Sequence, residues 1–125
     1  MAQPNVIIGV MSGTSLDGLD LCACTFASDN TFEIIKAETI SYDDSTIALL
    51  KEAETCSGVR LTAIDRSYGR LIGEHIARFM NLHLKDTAIT AVASHGHTIF
   101  HDPKNGYTLQ IGHGSAIAAA CGLPV

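Results

Sequence analysis

Several features that mark particular protein classes are missing from this sequence of 125 residues. It has no tryptophan, and its eight basic residues are outnumbered by thirteen acidic ones, which gives a formal net charge of −5. Nucleic acid is therefore not an expected partner, because binding to a phosphate backbone requires a basic surface. The 46% of apolar residues excludes a disordered chain and suffices for the core of one domain.

Signals for membrane insertion or export are also missing. No run of about 18 apolar residues is present, as a transmembrane helix would require. The first residues, Met-Ala-Gln-Pro-Asn, lack the basic head of a signal peptide. We therefore expect a cytoplasmic domain with no membrane partner.

The four cysteines do not form a C-x-x-C pair. Cys22 and Cys24 lie two positions apart on a predicted strand, where both point to the same side but cannot easily bond to each other. Cys56 and Cys121 are distant in sequence. This spacing favours buried or half-buried thiols in a reducing compartment over disulfides or a zinc site.

The first 40 residues predict three antiparallel strands. Their β-branched and alternating patterns cover Asn5 to Met11, Leu19 to Phe26 and Thr31 to Ile40. The first reversal contains Gly13 and the Asp17-Gly18 pair, which is typical of a hairpin turn, and residues 28–30 form the second.

A period near 3.6 residues then predicts helices. One begins around Asp43 and ends at Gly58, and a longer one has Thr62 as its N-cap and reaches about Leu84. Gly69 and Gly73 lie on one face of the longer helix, either because another backbone approaches closely or because glycine is tolerated at the surface.

The last third predicts further α/β structure. Ala88 to Ala93 is typical of a buried parallel strand, Ser94 to Thr98 of a loop, and Ile99 to His101 of a strand that pairs with Tyr107 to Ile111. Ser115 to Cys121 predicts a helix that Gly122 closes. Because Leu123-Pro124-Val125 has the pattern of a strand's beginning, we expect a layered α/β domain that is incomplete at its C-terminus.

The first candidate site is the glycine-containing turn within residues 9–20. Its backbone N–H groups form a nest suited to an anion, and Ser12, Thr14 and Ser15 add hydroxyl donors. Asp17 and Asp20 are candidates for holding Mg²⁺ through water. The G-x-x-x-x-G-K-[ST] phosphate loop is absent, and a hairpin whose Gly and Asp serve only the turn is the alternative.

The second candidate is Ser94-His95-Gly96-His97-Thr98, at the C-terminal end of a predicted strand, where open α/β sheets place ligands. Its short donors and acceptors suit the hydroxyls of a sugar. A metal site that includes His101, or a solvated loop without function, are the alternatives.

A third candidate is Thr108 to Ser115, where a strand runs into a helix N-terminus. Backbone N–H groups at such an end favour anions or polar ligand atoms. Capping of the helix by Ser115 or His113 is the alternative.

With these three stretches, the chain resembles the N-terminal part of the 1,6-anhydro-N-acetylmuramic acid kinase family. Residues 9–20 match its opening pattern G-x-M-S-G-T-S-x-D-G-x-D at every fixed position. Residues 94–101 are similar to its S-H-G-Q-T-[IV]-x-H stretch, and residues 108–125 to T-L-Q-I-G-D-G followed by a helix and G-[IL]-P-V.

The resemblance implies a lobe of the actin-like, ribonuclease-H-like ATPase fold and a reaction that uses ATP and Mg²⁺. Water opens the 1,6-anhydro ring while the γ-phosphate goes to O6, which gives N-acetylmuramic acid 6-phosphate in cell-wall recycling. The full-length enzyme is expected to be a homodimer. The expected ATP phosphate-binding residues are Ser12, Gly13, Thr14, Ser15, Leu16, Asp17, Gly18 and Leu19. The expected sugar-binding residues are Ser94, His95, Gly96, His97 and Thr98.

The sequence departs from the family pattern at two residues and in its extent, and a further residue differs from the wider superfamily. His97 replaces the usual Gln, and His113 replaces the usual Asp. Met11 aligns with a strand-one Asp of the wider superfamily, so metal binding does not transfer directly. The family's catalytic base and adenosine lobe are expected after Val125, so we expect no catalytic residue here and an inactive chain. A kinase for another sugar and a non-catalytic sugar- or phosphate-binding module are the alternatives.

Overall fold

The computed structural model describes residues 4–125, which form five strands and three α-helices. The strands are β1 Asn5–Ser12, β2 Gly18–Phe26, β3 Phe32–Ser41, β4 Ala91–Asp102 and β5 Tyr107–Ile111. The helices are α1 Asp44–Glu52, α2 Gly58–His83 and α3 Gly114–Cys121. No helix in this part of the chain is long and apolar enough to cross a membrane.

All five strands form one sheet in the order β3-β2-β1-β4-β5. The predicted antiparallel pairing of β1 with β2 and of β2 with β3 is confirmed, and β4 runs parallel to β1 as expected. β4 and β5 form an antiparallel hairpin across a short 3-10 helix, Pro103–Asn105. The predicted α/β class is confirmed, and this topology is consistent with a lobe of the actin-like ATPase fold.

The core lies between one face of the sheet and the helices. Alternate residues of the central strands point to this face, because successive side chains of a strand face opposite ways. The buried residues from the strands include Ile8, Val10, Leu19, Leu21 and Val92, and those from the helices include Leu50, Ile64, Ile72, Phe79 and Ile117. The opposite face, here called the open face, carries residues such as Met11, which is 52% exposed.

Gly69 and Gly73 allow α2 and α3 to pack at close range. A Cβ added at Gly69 would lie 2.7 Å from the carbonyl oxygen of His113. At Gly73 it would lie 2.5 Å from the Cβ of Ala120. Of the two explanations that the sequence left open, close backbone approach is therefore the correct one.

The predicted boundary between α1 and α2 was wrong. Asp43 is the N-cap of α1 as expected, and its carboxylate accepts a hydrogen bond from the Thr46 amide at 2.8 Å. However, α1 ends at Glu52, and Gly58 begins α2 instead of ending the first helix. The N-cap of α2 is Ser57, whose hydroxyl accepts from the Arg60 amide at 3.1 Å, so Thr62 lies inside the helix.

The predicted loop at Ser94 to Thr98 was also wrong. These residues continue β4, which starts at Ala91 and runs without interruption to Asp102. The strand continues through this segment, with a bulge at Gly96, because β4 pairs with β1 along its first half and with β5 along its second. Polar composition therefore did not prevent a strand that has a hydrogen-bonded partner strand along each half.

The chain's last residues lie beside β4. Gly122 closes α3 in the left-handed conformation, with φ at 76°, as the sequence predicted. The carbonyl of Pro124 then accepts a hydrogen bond of 2.8 Å from the Val92 amide. This is a backbone contact of the kind that neighbouring strands make.

The cysteines are all half-buried. Cys22 and Cys24 share the open face, as predicted for two residues of one strand, and their sulfur atoms lie 3.4 Å apart.

Candidate functional site

The segment between β1 and β2 forms a turn over residues 13–17. The Leu16 amide donates to the Gly13 carbonyl at 3.3 Å, and Leu16 adopts a left-handed φ of 59°. This conformation costs a branched residue roughly 1–2 kcal/mol, which the packing of Leu16 against the core helps to offset. The turn is therefore held in a specific shape by the rest of the fold.

Gly18 does not act as the expected left-handed residue of an Asp-Gly hairpin turn. It is the first residue of β2, and a Cβ there would lie 2.5 Å from the carbonyl oxygen of Ile40 on β3. Glycine is required at this position because β3 passes so close, and the reversal itself depends on Leu16.

The turn presents hydrogen-bond donors to solvent. Thr14 and Ser15 are exposed, and their backbone amides have no hydrogen-bond partner within residues 4–125. Two unpaired amides and the Thr14 hydroxyl, grouped on one bend, are suited to the oxygens of a phosphate. The donor set of this turn therefore fits the anionic end of a nucleotide.

Two carboxylates lie near the turn. The Ser15 hydroxyl donates to Asp17 at 2.5 Å, and this bond, with those from the backbone, holds the pKa of Asp17 below its usual value. Asp20 lies on the open face of β2 and accepts from the Thr39 hydroxyl. No group of three or more metal-ligating side chains occurs among the described residues. One or two carboxylates together with substrate phosphates are the usual environment of Mg²⁺, so these residues fit that ion.

The structure brings the second predicted segment to the same edge of the sheet as the turn. Because β4 is parallel to β1, Ser94 lies opposite Val10 and His97 opposite Ser12. The register shifts between these two pairs at Gly96, whose φ is 76°. A Cβ at Gly96 would collide with the carbonyl of Ile111 on β5, so this bulge requires glycine.

A shallow groove of about 550 Å³ lies on the open face between these segments. Met11 of β1, Asp20 and Cys22 of β2, and His95 of β4 line it together with the small residues between them. The groove therefore joins the turn's strands to the outward-facing part of the second segment. Thr98 is half-buried, and its hydroxyl accepts from the Gln110 side chain at 3.2 Å.

His97 and Ser12 do not face this groove. Both side chains are buried on the helix side of the sheet, with exposed fractions of 2% and 3%. Ser12 Oγ and His97 Nδ1 lie 2.9 Å apart, and burial lowers the pKa of His97 below its usual value. Their side chains are therefore not available to a ligand in the groove.

Two tyrosines that the sequence did not single out complete this buried cluster. The hydroxyl of Tyr42, just before α1, donates to Ser12 Oγ at 2.7 Å and lies 2.6 Å from the hydroxyl of Tyr68 on α2. Burial raises the pKa of both tyrosines. Tyr68 lies on the buried face of α2, so the available signal was a hydroxyl at a core position of the helical period.

The third candidate segment is tied to α2. The Gly112 amide donates to the Asp65 carboxylate at 2.7 Å, and the His113 amide donates to the Asp65 carbonyl at 3.1 Å. His113 occupies the N-cap position of α3, but no side chain caps this helix. Instead, Ser115 Oγ and His113 Nδ1 lie 2.9 Å apart, so the capping alternative was wrong.

One polar atom near the groove has no partner. Ser94 Oγ is buried and makes no hydrogen bond within the described part of the chain. An unpaired buried hydroxyl is costly, which distinguishes this point of β4 from the rest of the strand.

The sequence was compared with known proteins. The family model described as "Anhydro-N-acetylmuramic acid kinase" matches residues 5–125. A protein of that name from Actinobacillus pleuropneumoniae serotype 7 is 39% identical over 125 residues, which cover 95% of this chain and 34% of the relative. A protein of the same name from Pseudoalteromonas translucida is 38% identical over 133 residues, which cover 94% of this chain and 33% of the relative.

A third relative of the same name, from Thiobacillus denitrificans, is 34% identical over 127 residues, which cover 99% of this chain and 33% of the relative. The chain thus spans about a third of the length of the curated relatives that it matches. The family match extends over nearly all of this chain and includes both the turn and the second segment. The chain belongs to the anhydro-N-acetylmuramic acid kinase family.

Proposed function

We propose that this chain forms the phosphate-binding and part of the sugar-binding region of an ATP-dependent anhydro-N-acetylmuramic acid kinase. In the proposed reaction, water opens the 1,6-anhydro ring and the γ-phosphate of ATP is transferred to O6. The products are ADP and N-acetylmuramic acid 6-phosphate. The observation that carries the proposal is the position of the open turn beside the second segment, where Ser12 pairs with His97 across β1 and β4.

In this proposal the turn binds the phosphates of ATP. Phosphoryl transfer depends mainly on positioning the reacting groups and neutralising their charge. The free amides of Thr14 and Ser15 and the hydroxyl of Thr14 would bind the phosphate oxygens. Asp17, which is ionised at neutral pH as aspartates ordinarily are, would hold Mg²⁺ through water, with Asp20 as a second candidate.

The sugar would lie on the open face, in the groove that His95 lines. The backbone of Gly96 and His97 and the hydroxyl of Thr98 continue the same edge of the sheet. The side chain of His97 supports the site from the buried side, so we assign it no direct contact with the sugar.

The remaining parts of the reaction are assigned to sequence outside this chain. The family resemblance implies that the catalytic base, the adenosine lobe and much of a homodimer contact follow the region corresponding to Val125. We therefore propose that the chain alone binds ligands without turning them over. We also propose that the complete enzyme acts on cell-wall sugars in the cytoplasm, where ATP is available.

Calorimetric titration of MgATP into this chain tests the binding proposal, with Gly13→Val as the informative variant. A Cβ at Gly13 would meet only the Ser15 hydroxyl, at 3.5 Å, so the fold accommodates a side chain there. We expect the variant to lose MgATP binding because the valine occupies the space of the phosphates.

Gly58→Val is the matched control, because a Cβ at Gly58 has no neighbour within 4 Å and the residue lies at the start of α2. It should bind MgATP like the unaltered chain. Equal binding by the Gly13 variant would show that the turn only reverses the chain. Release of ADP that depends on the anhydro-sugar, from this chain alone and well above a blank, would contradict the assignment of the base to another segment.

A further inference from the structure

The buried cluster of Ser12, Tyr42, Tyr68 and His97 connects the turn to the second segment through side chains. Ser12 is the last residue of β1 and directly precedes Gly13. Its Oγ contacts the imidazole of His97, which lies 85 positions further along the chain. Any change at His97 is therefore transmitted to the first residue before the turn.

The hydrogen bonds of this cluster have a fixed direction. Tyr42 donates its only hydroxyl proton to Ser12 Oγ, so the 2.6 Å contact between the tyrosines requires Tyr68 to donate to Tyr42. The Ser12 hydroxyl then donates its own proton to Nδ1 of His97, 2.9 Å away. The chain of donors runs from Tyr68 through Tyr42 and Ser12 to His97, and it ends on an unprotonated ring nitrogen.

Only the neutral imidazole satisfies every member of this chain. A protonated His97 would place an N–H opposite Ser12 Oγ, and the Ser12 proton would lose its acceptor. Reversing all the donors would leave the Tyr68 proton without a partner, and Tyr68 is completely buried. Tyr68 also packs edge-on against His97, with ring centroids 6.3 Å apart, so the imidazole has little freedom to rotate.

The surroundings favour this neutral state. Burial lowers the pKa of His97, and the charge of Glu54, beyond the end of α1, opposes this effect. The residue facing His97 from β5 is the apolar Ile111. The other titratable groups of the cluster are Tyr42 and Tyr68, which burial keeps protonated.

We propose that His97 is a positioning residue, which fixes the phosphate-binding turn by holding Ser12 through the directed chain of buried hydrogen bonds. This inference rests on the proposed function in one respect, namely that the turn binds phosphate. The contact between His97 and the residue before the turn does not depend on that function. The same link makes the conformation of the turn dependent on pH, because protonation of His97 breaks the chain.

The test compares His97→Gln with His97→Leu in the whole chain. The glutamine oxygen can accept from Ser12, whereas leucine fills a similar volume without an acceptor. We expect Leu to weaken MgATP binding by about tenfold and Gln by no more than about threefold, because only Leu leaves the buried Ser12 proton unpaired. His101→Leu, on the exposed part of β4, is the matched control and should bind as the unaltered chain does.

A second measurement needs no ligand. In ¹H–¹⁵N spectra, the amides of residues 13–15 should shift as the pH falls from about 8 to about 5, with a midpoint below the ordinary histidine value of 6.5. The same amides should not titrate in His97→Gln, and in His97→Leu they should be displaced at every pH. A turn that titrates equally in His97→Gln, or amides in His97→Leu that match the unaltered chain, would overturn the proposal.

If His97→Leu does not fold, Tyr42→Phe removes the donor to Ser12 and keeps the ring. It should displace the same amides, whereas the control Tyr107→Phe, at an exposed tyrosine, should not.

The two proposals remain distinguishable. Coupled titration without MgATP binding refutes the proposed function alone, and MgATP binding that is insensitive to His97→Leu, with unmoved turn amides, refutes the positioning role alone.

Discussion

Replacing Gly69 with alanine is expected to destabilise the protein, although alanine favours helices. In the interior of a helix, alanine is preferred over glycine by about 1 kcal/mol. At Gly69, however, the new methyl group would lie 2.7 Å from the carbonyl oxygen and 2.8 Å from the amide nitrogen of His113. Both atoms belong to the backbone, so no side-chain rotation can relieve the contact.

The size of the effect follows from what must move. Overpacking of this kind costs about 1–3 kcal/mol. Displacing residues 112 and 113 would also strain two hydrogen bonds to Asp65, at 2.7 Å and 3.1 Å, each with a net value of about 1 kcal/mol. After subtraction of the helix preference, we expect Gly69→Ala to lower the free energy of unfolding by about 2–3 kcal/mol. For a domain of this size, this corresponds to a decrease in Tm of about 8–12 °C.

Urea unfolding followed by circular dichroism measures this difference, with Gly58→Ala as the control. No atom lies within 4 Å of the position that a methyl group at residue 58 would occupy, so this variant should equal or slightly exceed the unaltered chain in stability. A Gly69→Ala protein as stable as the Gly58 variant would refute the conclusion that glycine is required by the contact between α2 and α3.

Two further predictions concern helix N-termini. Ser57→Ala removes the hydroxyl that accepts from the Arg60 amide, and it should lower the free energy of unfolding by about 1 kcal/mol in the same urea experiment, whereas Ser57→Asp should not. The hydrogen bonds from Thr46 and Ser45 lower the pKa of Asp43, so its contribution to stability is present above the unfolded value of 3.8 and is lost as the pH falls through the folded value. Thermal unfolding between about pH 6 and about pH 2 should therefore show a steeper acid loss for the unaltered chain than for Asp43→Asn, and equal slopes would contradict this reasoning.

The parts of the fold that could be predicted from the sequence are those set by local pattern. Apolar residues alternate with other residues along β2 and recur about every 3.6 residues along α2, because one face of each element is buried. This spacing can be recognised in the sequence alone. The start of α2 was misplaced because glycine, as at Gly58, is typical of the position after the end of a helix. The correct signal was Ser57, a hydroxyl residue directly before the helical period.

The site was less predictable because its arrangement depends on pairing between distant strands. Residues 94–98 have the composition of a loop, and only hydrogen bonding to β1 and β5 makes them a strand. The left-handed φ of Leu16 has no local signal either, since its branched side chain disfavours that conformation. Likewise, no sequence pattern indicates that the hydroxyls of Tyr42 and Tyr68 meet at Ser12.

A single glycine explains why one histidine of the second segment faces the groove and the other faces the core. Along β1, Ser12 follows Val10 by two residues, whereas along β4 their partners Ser94 and His97 are three residues apart. Without the extra residue, the alternation of a strand would place residue 97 on the same open face as His95.

The extra residue is Gly96, whose φ of 76° and lack of a Cβ permit the bulge beside Ile111. Its glycine is therefore explained by the geometry of the sheet and does not require a ligand that approaches the backbone. The bulge turns the His97 imidazole toward Ser12 and leaves His95 at the groove. Residues 94–98 have the composition of one polar loop, but this bulge divides them into a part that faces the groove and a part whose imidazole is buried beside Ser12.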